Sequence, residues 1–93
     1  MLELKTPERL DTLNATDIED RFLQTIATEK PQEVSIDFSQ TTYISSAGLR
    51  AVLVVSKKLR QQGAKLSLCS MNDAVYDIFK MAGFDTILDI QHQ

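Results

Sequence analysis

The sequence predicts an α/β fold with helices packed mainly on one face of a sheet. Short runs in which apolar and polar residues alternate are typical of strands with one buried face. Three longer segments with helical spacing separate these runs. A sheet covered on both faces would instead show continuous apolar runs, so the alternation indicates one covered face and one face in contact with water.

Four short runs predict four strands. Three of them alternate, Leu2–Lys5, Glu33–Phe38 and Lys65–Leu68, and the fourth is the mostly apolar run Ile87–Ile90. Strands that are joined through helices usually run parallel, by right-handed crossovers. We therefore expect at least the middle strands to be parallel, whereas the order of the strands does not follow from the sequence.

The first helix is predicted over Thr16–Thr28. Its apolar stripe consists of Ile18, Phe22 and Ile26. Thr16 and Glu19 have the spacing of a capping box, and Asn14 is the alternative cap. The helix is therefore expected to begin close to these residues.

Two further helices are predicted over Ala47–Gln62 and Asn72–Ala82. Gly63 and Gly83 follow them directly, and glycine is the preferred residue just beyond a helix end. The core face of the last helix is expected to consist of Val75, Ile78, Phe79 and Ala82.

The composition is that of one globular domain, which we expect to span residues 1–93. Hydrophobic residues make up 43% of the chain, so a core can form without disulfides or metal. The net charge of −3 argues against a nucleic-acid partner, which would favour a basic face. The first residues lack the basic start and long apolar stretch of a signal peptide, and no apolar run reaches the length of a membrane span, so we expect neither feature. We expect a cytoplasmic monomer with no membrane association.

The motifs of common enzyme classes are missing from the sequence. It contains no phosphate-binding loop, no dinucleotide-binding glycine pattern and no nucleophile elbow. The only histidine, His92, is next to the end of the chain and has no cysteine or second histidine beside it. We therefore predict no catalytic residue, no metal site and no cofactor.

The pair Ser45 and Ser46 is the most informative feature of the sequence, because it stands where an extended segment meets an apolar helix. One hypothesis is that a serine caps the helix by accepting a hydrogen bond from a free backbone N–H group. The other is that a serine carries a phosphate, which the positive end of the helix dipole tolerates. The residues by themselves leave both hypotheses open.

Three segments give the chain its resemblance to a STAS domain, in particular to the anti-sigma factor antagonists of bacterial partner-switching systems. They are Arg9–Ala15, Val34–Ser39 together with Tyr43–Leu49, and Leu66–Cys69 together with Val75, Ile78, Phe79, Gly83 and Phe84. The resemblance implies a mixed sheet of four to five strands. Many relatives open with a strand hairpin where this chain has Pro7–Arg9, so one edge strand is expected to be missing or reduced.

The resemblance also implies a mechanism. In such systems the unphosphorylated antagonist binds an anti-sigma factor that is also a serine kinase, phosphorylation of a loop serine releases it, and a serine phosphatase resets it. The family pattern Asp-Ser-[Ser/Thr]-Gly-Leu points to Ser46 as the acceptor. Ser45 stands where many members have Asp, and Ala47 where many have Ser or Thr, so Ser45 is the alternative acceptor.

The resemblance also implies which residues bind the partner. They are Asp11, Thr12, Asn14, Tyr43, Ser45, Ala47, Gly48, Leu49 and Arg50.

Two alternative functions remain open at this point. A STAS subunit can serve as an accessory of a transporter without being phosphorylated. A nucleotide-binding module could instead use the start of the second helix for a phosphate, but no Lys or Thr stands at a phosphate-cradle position.

Overall fold

Three helices separate single strands or pairs of strands along the described part of the chain, which is residues 1–84 and 89–92 of a computed structural model. The elements are β1 Leu2–Lys5, β2 Arg9–Leu10, α1 Ala15–Glu29, β3 Glu33–Asp37, β4 Tyr43–Ile44, α2 Ser46–Gln61, β5 Lys65–Met71, α3 Asp73–Met81 and β6 Asp89–His92. Of the predicted last strand, Ile87 and Leu88 lie outside the described residues.

The strands form two sheets. The larger sheet has the order β1-β3-β5-β6, and the smaller one pairs β2 with β4. Every pairing among the described strands is parallel. A mixed sheet would also contain an antiparallel pair, and the described residues form none. The predicted α/β class and the parallel middle strands are confirmed.

The register of the larger sheet separates an apolar face from a polar face. Neighbouring strands align apolar residues in two rows, Leu2–Val34–Leu66 and Leu4–Ile36–Leu68. The intervening positions form the polar row Glu3–Ser35–Ser67. Residues of all three helices pack in one cluster with the apolar rows. The prediction of helices on one face of the sheet is therefore confirmed.

The core is a continuous apolar cluster between the sheet and the helices. Phe38, which follows β3, meets Phe79 of α3 edge to face, with ring centroids 5.5 Å apart. Phe22 and Ile26 of α1 belong to the same cluster, as the predicted stripe requires. Burial of each such side chain stabilises the fold by about 1.5–3 kcal/mol. Ala82 is exposed, contrary to the prediction, and it is the C-cap residue that follows the end of α3 at Met81.

The start of α1 differs from the predicted capping box. The helix begins at Ala15, so Thr16 lies within its first turn, and Asn14 occupies the N-cap position without a side-chain capping bond. The Asn14 side chain instead accepts a hydrogen bond from the Asp11 amide and donates one to the Arg9 carbonyl oxygen. The capping-box prediction is wrong because the helix begins one residue before Thr16. The alternative, Asn14, does occupy the N-cap position, but its side chain is engaged in the loop contacts and caps no helical N–H group.

The other helix ends are close to their predicted positions. Helix α2 begins one residue earlier than expected, at Ser46, and ends at Gln61. Gly63 and Gly83 have φ angles of 72° and 80°, which glycine adopts without steric cost, and both stop signals are confirmed.

Candidate functional site

The candidate site lies where the two strands of the small sheet end. Arg9 pairs with Tyr43 and Leu10 pairs with Ile44 in a parallel register. Because parallel strands end at the same edge, the loop 11–14 that follows β2 lies beside the start of α2 that follows β4. The Ser45 amide donates a hydrogen bond of 2.9 Å to the carbonyl oxygen of Leu10 and joins the two segments. We call residues 11–14, 43 and 45–50 the serine surface.

Ser45 is the N-cap of α2. Its backbone is extended, with φ −97° and ψ 175°, and its Oγ accepts a hydrogen bond of 3.3 Å from the Gly48 amide. The first intrahelical bond, from the Leu49 amide to the Ser45 carbonyl oxygen, measures 2.9 Å. The capping hypothesis is therefore confirmed for Ser45, whose side chain is half-buried.

Ser46 is the first residue of α2, and it is exposed. It lies at the positive end of the helix dipole, where an added anion is stabilised by about 0.3–1 kcal/mol at an exposed position. Arg50 lies one helical turn further on, the separation at which helical side chains are neighbours. Arg50 is exposed and forms no salt bridge among residues 1–84 and 89–92. The electrostatic surroundings of Ser46 are thus compatible with a phosphate.

Gly48 is buried and allows α2 to approach β2 closely. A Cβ atom at this position would lie 2.6 Å from the Leu10 carbonyl oxygen and 2.8 Å from Cγ1 of Ile44. Real Cβ atoms do not approach other atoms so closely, so any other residue would force α2, Leu10 or Ile44 to shift. Among the predicted partner-binding residues, Gly48 therefore acts inside the fold rather than on its surface.

Hydrogen bonds hold the loop 11–14 in one conformation. Oδ1 of Asp11 accepts from the Leu13 amide at 3.0 Å. The Asp11 amide donates to Oδ1 of Asn14 at 2.9 Å, and Nδ2 of Asn14 donates to the Arg9 carbonyl oxygen at 2.7 Å. Asp11 and Asn14, both predicted site residues, thus shape the loop with their side chains.

Arg9 connects the two parts of the serine surface. Its guanidinium carbon lies 4.5 Å from the centroid of the Tyr43 ring, and its Nε lies 3.3 Å from Oδ2 of Asp11. At this degree of exposure each contact contributes about 1 kcal/mol or less. Their main effect is to fix where the ring of Tyr43 lies relative to the loop 11–14.

The structure brings all of the predicted site residues to one end of the molecule. Thr12, Tyr43, Ser46 and Arg50 are exposed, and Asp11, Asn14, Ser45, Ala47 and Leu49 are half-buried. Ala47 and Arg50 line an open groove that continues to Ala15, Thr16 and Glu19 of α1.

Two residues of this end were missed by the sequence analysis. Arg9 is not among the predicted site residues, although it contacts both Tyr43 and Asp11. Leu13 is 92% exposed, the largest exposed fraction of any large hydrophobic residue that the structure describes. A leucine between polar residues and outside the stripe of α1 was the signal that could have identified it.

Among the described residues, no three or more His, Cys, Asp or Glu side chains are placed to bind a metal ion. In the same part of the chain, no helix is long and apolar enough to cross a membrane.

The chain matches the STAS domain family over residues 1–93 and belongs to that family. It is 42% identical over 59 residues to BtrV of Bordetella bronchiseptica, which is named as an anti-sigma factor antagonist; the match covers 63% of this chain and 51% of that protein. It is 30% identical over 57 residues to the anti-sigma-B factor antagonist of Listeria monocytogenes, covering 61% of this chain and 50% of that protein. Each match thus spans about half the length of the relative.

Solved structures share the fold. A protein from Thermotoga maritima, named as an anti-sigma factor antagonist, has a TM-score of 0.85 at 19% identity, covering 95% of this chain and 76% of its own. A sulfate transporter family protein from Wolinella succinogenes has a TM-score of 0.82 at 16% identity, covering 97% and 75%. The unphosphorylated anti-sigma factor antagonist SpoIIAA has a TM-score of 0.71 at 14% identity, covering 95% and 76%. At these identities the likeness is one of fold alone.

Proposed function

We propose that this STAS domain is an anti-sigma factor antagonist that binds an anti-sigma factor with serine kinase activity and is released when the kinase phosphorylates Ser46. The family match and the names of the sequence relatives support the general function. The geometry of the two serines supports the choice of acceptor.

The observation that carries the proposal is the contrast between Ser45 and Ser46. A kinase must reach the hydroxyl that it modifies, and Ser46 is exposed at the start of α2. The hydroxyl of Ser45 is half-buried and already bonded to the Gly48 amide. Phosphorylation of Ser45 would modify the oxygen that forms the cap, whereas phosphorylation of Ser46 would leave that oxygen unchanged. We therefore place the phosphate on Ser46, with Ser45 as the alternative.

The proposed contact area for the kinase is the exposed and half-buried part of the serine surface. Its exposed members are Thr12, Leu13, Tyr43, Ser46 and Arg50, and its half-buried members are Asp11, Asn14, Ser45, Ala47 and Leu49. Gly48 lies beneath this area inside the fold, because a residue without a Cβ atom lets α2 pack closely against Leu10. The surface is small and partly apolar, so a partner can cover it at a low cost of desolvation.

Electrostatics explains release. A phosphate adds about −1.5 to −2 charges, and burying it at an interface without a cationic partner costs several kcal/mol. The helix dipole offsets only about 0.3–1 kcal/mol of this cost, and an exposed ion pair with Arg50 offsets about 1 kcal/mol or less. Since about 1.4 kcal/mol is tenfold in affinity, we expect the phosphorylated form to bind the kinase about a hundredfold or more weakly.

The cycle needs a serine phosphatase to remove the phosphate, and the exposure of Ser46 makes it accessible to such an enzyme. In this proposal the chain is itself a regulator rather than an enzyme. It acts as a monomer through protein partners and requires no cofactor.

The alternative roles are not favoured by a specific observation. The likeness to a sulfate transporter family protein is a likeness of fold at 16% identity. A transporter accessory would bind its partner with Ser46 unmodified, and a nucleotide-binding module would bind ATP or GTP directly. Calorimetry with millimolar ATP and GTP tests the latter, and heat of binding would favour it.

The proposal is tested by incubating the chain with the anti-sigma factor kinase of its source organism and ATP, and then mapping the phosphate. We expect phosphate on Ser46, none in Ser46→Ala, and full incorporation in Ser39→Ala, a control in which another exposed serine is removed. Undiminished phosphorylation of Ser46→Ala would move the acceptor to Ser45 or elsewhere. Absence of phosphate from every serine would contradict the switch.

A further inference from the structure

Leu13 is an apolar side chain that projects from the serine surface into solvent. It is 92% exposed, although full burial of a leucine contributes about 1.5–3 kcal/mol. A single exposed leucine needs no explanation in itself. Leu13 is unusual because the fold holds it in this exposed position through specific hydrogen bonds.

The loop bonds leave Leu13 little freedom to turn inward. Its amide donates to Oδ1 of Asp11, and the next residue, Asn14, is bonded to both the Asp11 amide and the Arg9 carbonyl oxygen. Asp11 is in turn held by the Arg9 guanidinium. The backbone that presents Leu13 is therefore ordered before any partner arrives. A preorganised anchor binds more tightly because its ordering cost has already been met by folding.

The surroundings of Leu13 indicate what would cover it. The adjacent strand presents Tyr43, which is 41% exposed, so a second apolar group lies on the same surface. Arg9 stacks on that ring, and Arg50 is exposed and without a salt bridge among the described residues. A complementary surface would have an apolar pocket bordered by carboxylates. Interfaces commonly obtain most of their binding energy from a few such anchors in desolvated pockets.

We propose that Leu13 is the anchor of the kinase-binding surface and that it inserts into an apolar pocket of the anti-sigma factor kinase. This inference rests on the proposed function, since the surface that contains Ser46 continues directly into the loop 11–14. It assigns the two requirements of a switch to different residues. Burial of Leu13 provides the binding affinity, and a phosphate on Ser46 adds the charge that removes this affinity.

The test compares binding of Leu13 variants to the kinase that phosphorylates the chain, measured by calorimetry in the absence of ATP. Leu13→Ala keeps the backbone bond to Asp11 and is expected to weaken binding about tenfold or more, while Leu13→Met is expected to stay within about threefold of wild type. Met81 is 87% exposed at the end of α3, so Met81→Ala is the matched control and is expected to leave binding unchanged. Unfolding in urea checks that each variant has the wild-type stability.

The outcomes separate this inference from the function on which it rests. If Leu13→Ala binds like wild type while Ser46→Asp does not bind, the anchor is contradicted and the proposed function stands. If Leu13→Ala and Met81→Ala weaken binding equally, the effect is not specific to the serine surface and the anchor is again contradicted. If the wild-type chain does not bind the kinase, both proposals fail.

Discussion

The amide of Ser45 donates a hydrogen bond of 2.9 Å to the carbonyl oxygen of Leu10. This contact ties the start of α2 to the end of β2, two segments that are 35 positions apart in the sequence. It places the loop 11–14 beside Ser46 and so defines the surface on which the proposed switch acts.

Gly48→Ala should destabilise the fold. The new Cβ would lie 2.6 Å from the Leu10 carbonyl oxygen, a backbone atom that cannot move aside easily. Alanine is preferred over glycine within helices by about 1 kcal/mol, but overpacking typically costs about 1–3 kcal/mol, so we expect a net loss. Urea unfolding measures it, with Ser46→Ala as a control that should change stability by less than about 0.5 kcal/mol. A Gly48→Ala variant as stable as wild type would contradict the close approach.

Ser45→Ala and Ser46→Ala should differ in stability. Ser45 supplies the side-chain cap of α2, and loss of an N-cap costs about 0.5–2 kcal/mol. Ser46 has no such contact and is exposed, so its removal should change stability by less than about 0.5 kcal/mol. Ser45→Asp should retain most of the cap, because aspartate is an equally good N-cap residue. Equal losses in the two alanine variants would show that the cap is not formed in solution.

Asn14→Ala should loosen the loop 11–14. The substitution removes two hydrogen bonds, of 2.7 and 2.9 Å, and each contributes about 0.5–1.5 kcal/mol. Thr12→Ala, an exposed neighbour in the same loop, is the control. Amide hydrogen exchange should become faster at Leu13 and Asn14 in the first variant only. Unchanged exchange in Asn14→Ala would mean that the side-chain bonds do not order the loop.

Phosphorylation of Ser46 should leave the domain itself unchanged. The phosphate would lie at the start of α2, outside the core and clear of the Ser45 cap. Amide chemical shifts should therefore change only around residues 43–50 and the loop 11–14, and the unfolding midpoint should be equal or slightly higher because of the helix dipole. Shift changes spread through β5 and α3 would indicate that release works by refolding rather than at the interface.

Much of the fold was predictable because its apolar periodicity is strong. The alternation in β1, β3 and β5 predicted the covered face, and the glycines after α2 and α3 predicted where those helices end. The small sheet escaped prediction because β2 and β4 have two residues each, too few to show a period. The strand order is a property of tertiary packing and has no local signal.

The candidate site was only partly predictable. The position of the serines came from local sequence, but their different roles depend on which hydroxyl reaches the Gly48 amide. Asn14 was expected as a possible cap of α1, yet its side chain bonds within the loop because Arg9 and Asp11 lie within reach. Leu13 was missed because exposure depends on how the chain enters α1 rather than on residue type.

We expect a phosphate on Ser46 to switch the affinity of the serine surface for its kinase. The most direct measurement is calorimetric titration of the kinase with the unmodified chain, with the chain phosphorylated on Ser46 and with Ser46→Ala. We predict that the unmodified chain and Ser46→Ala bind with similar affinity and that the phosphorylated chain binds about a hundredfold or more weakly. Equal affinity of the phosphorylated and unmodified chains would contradict the account.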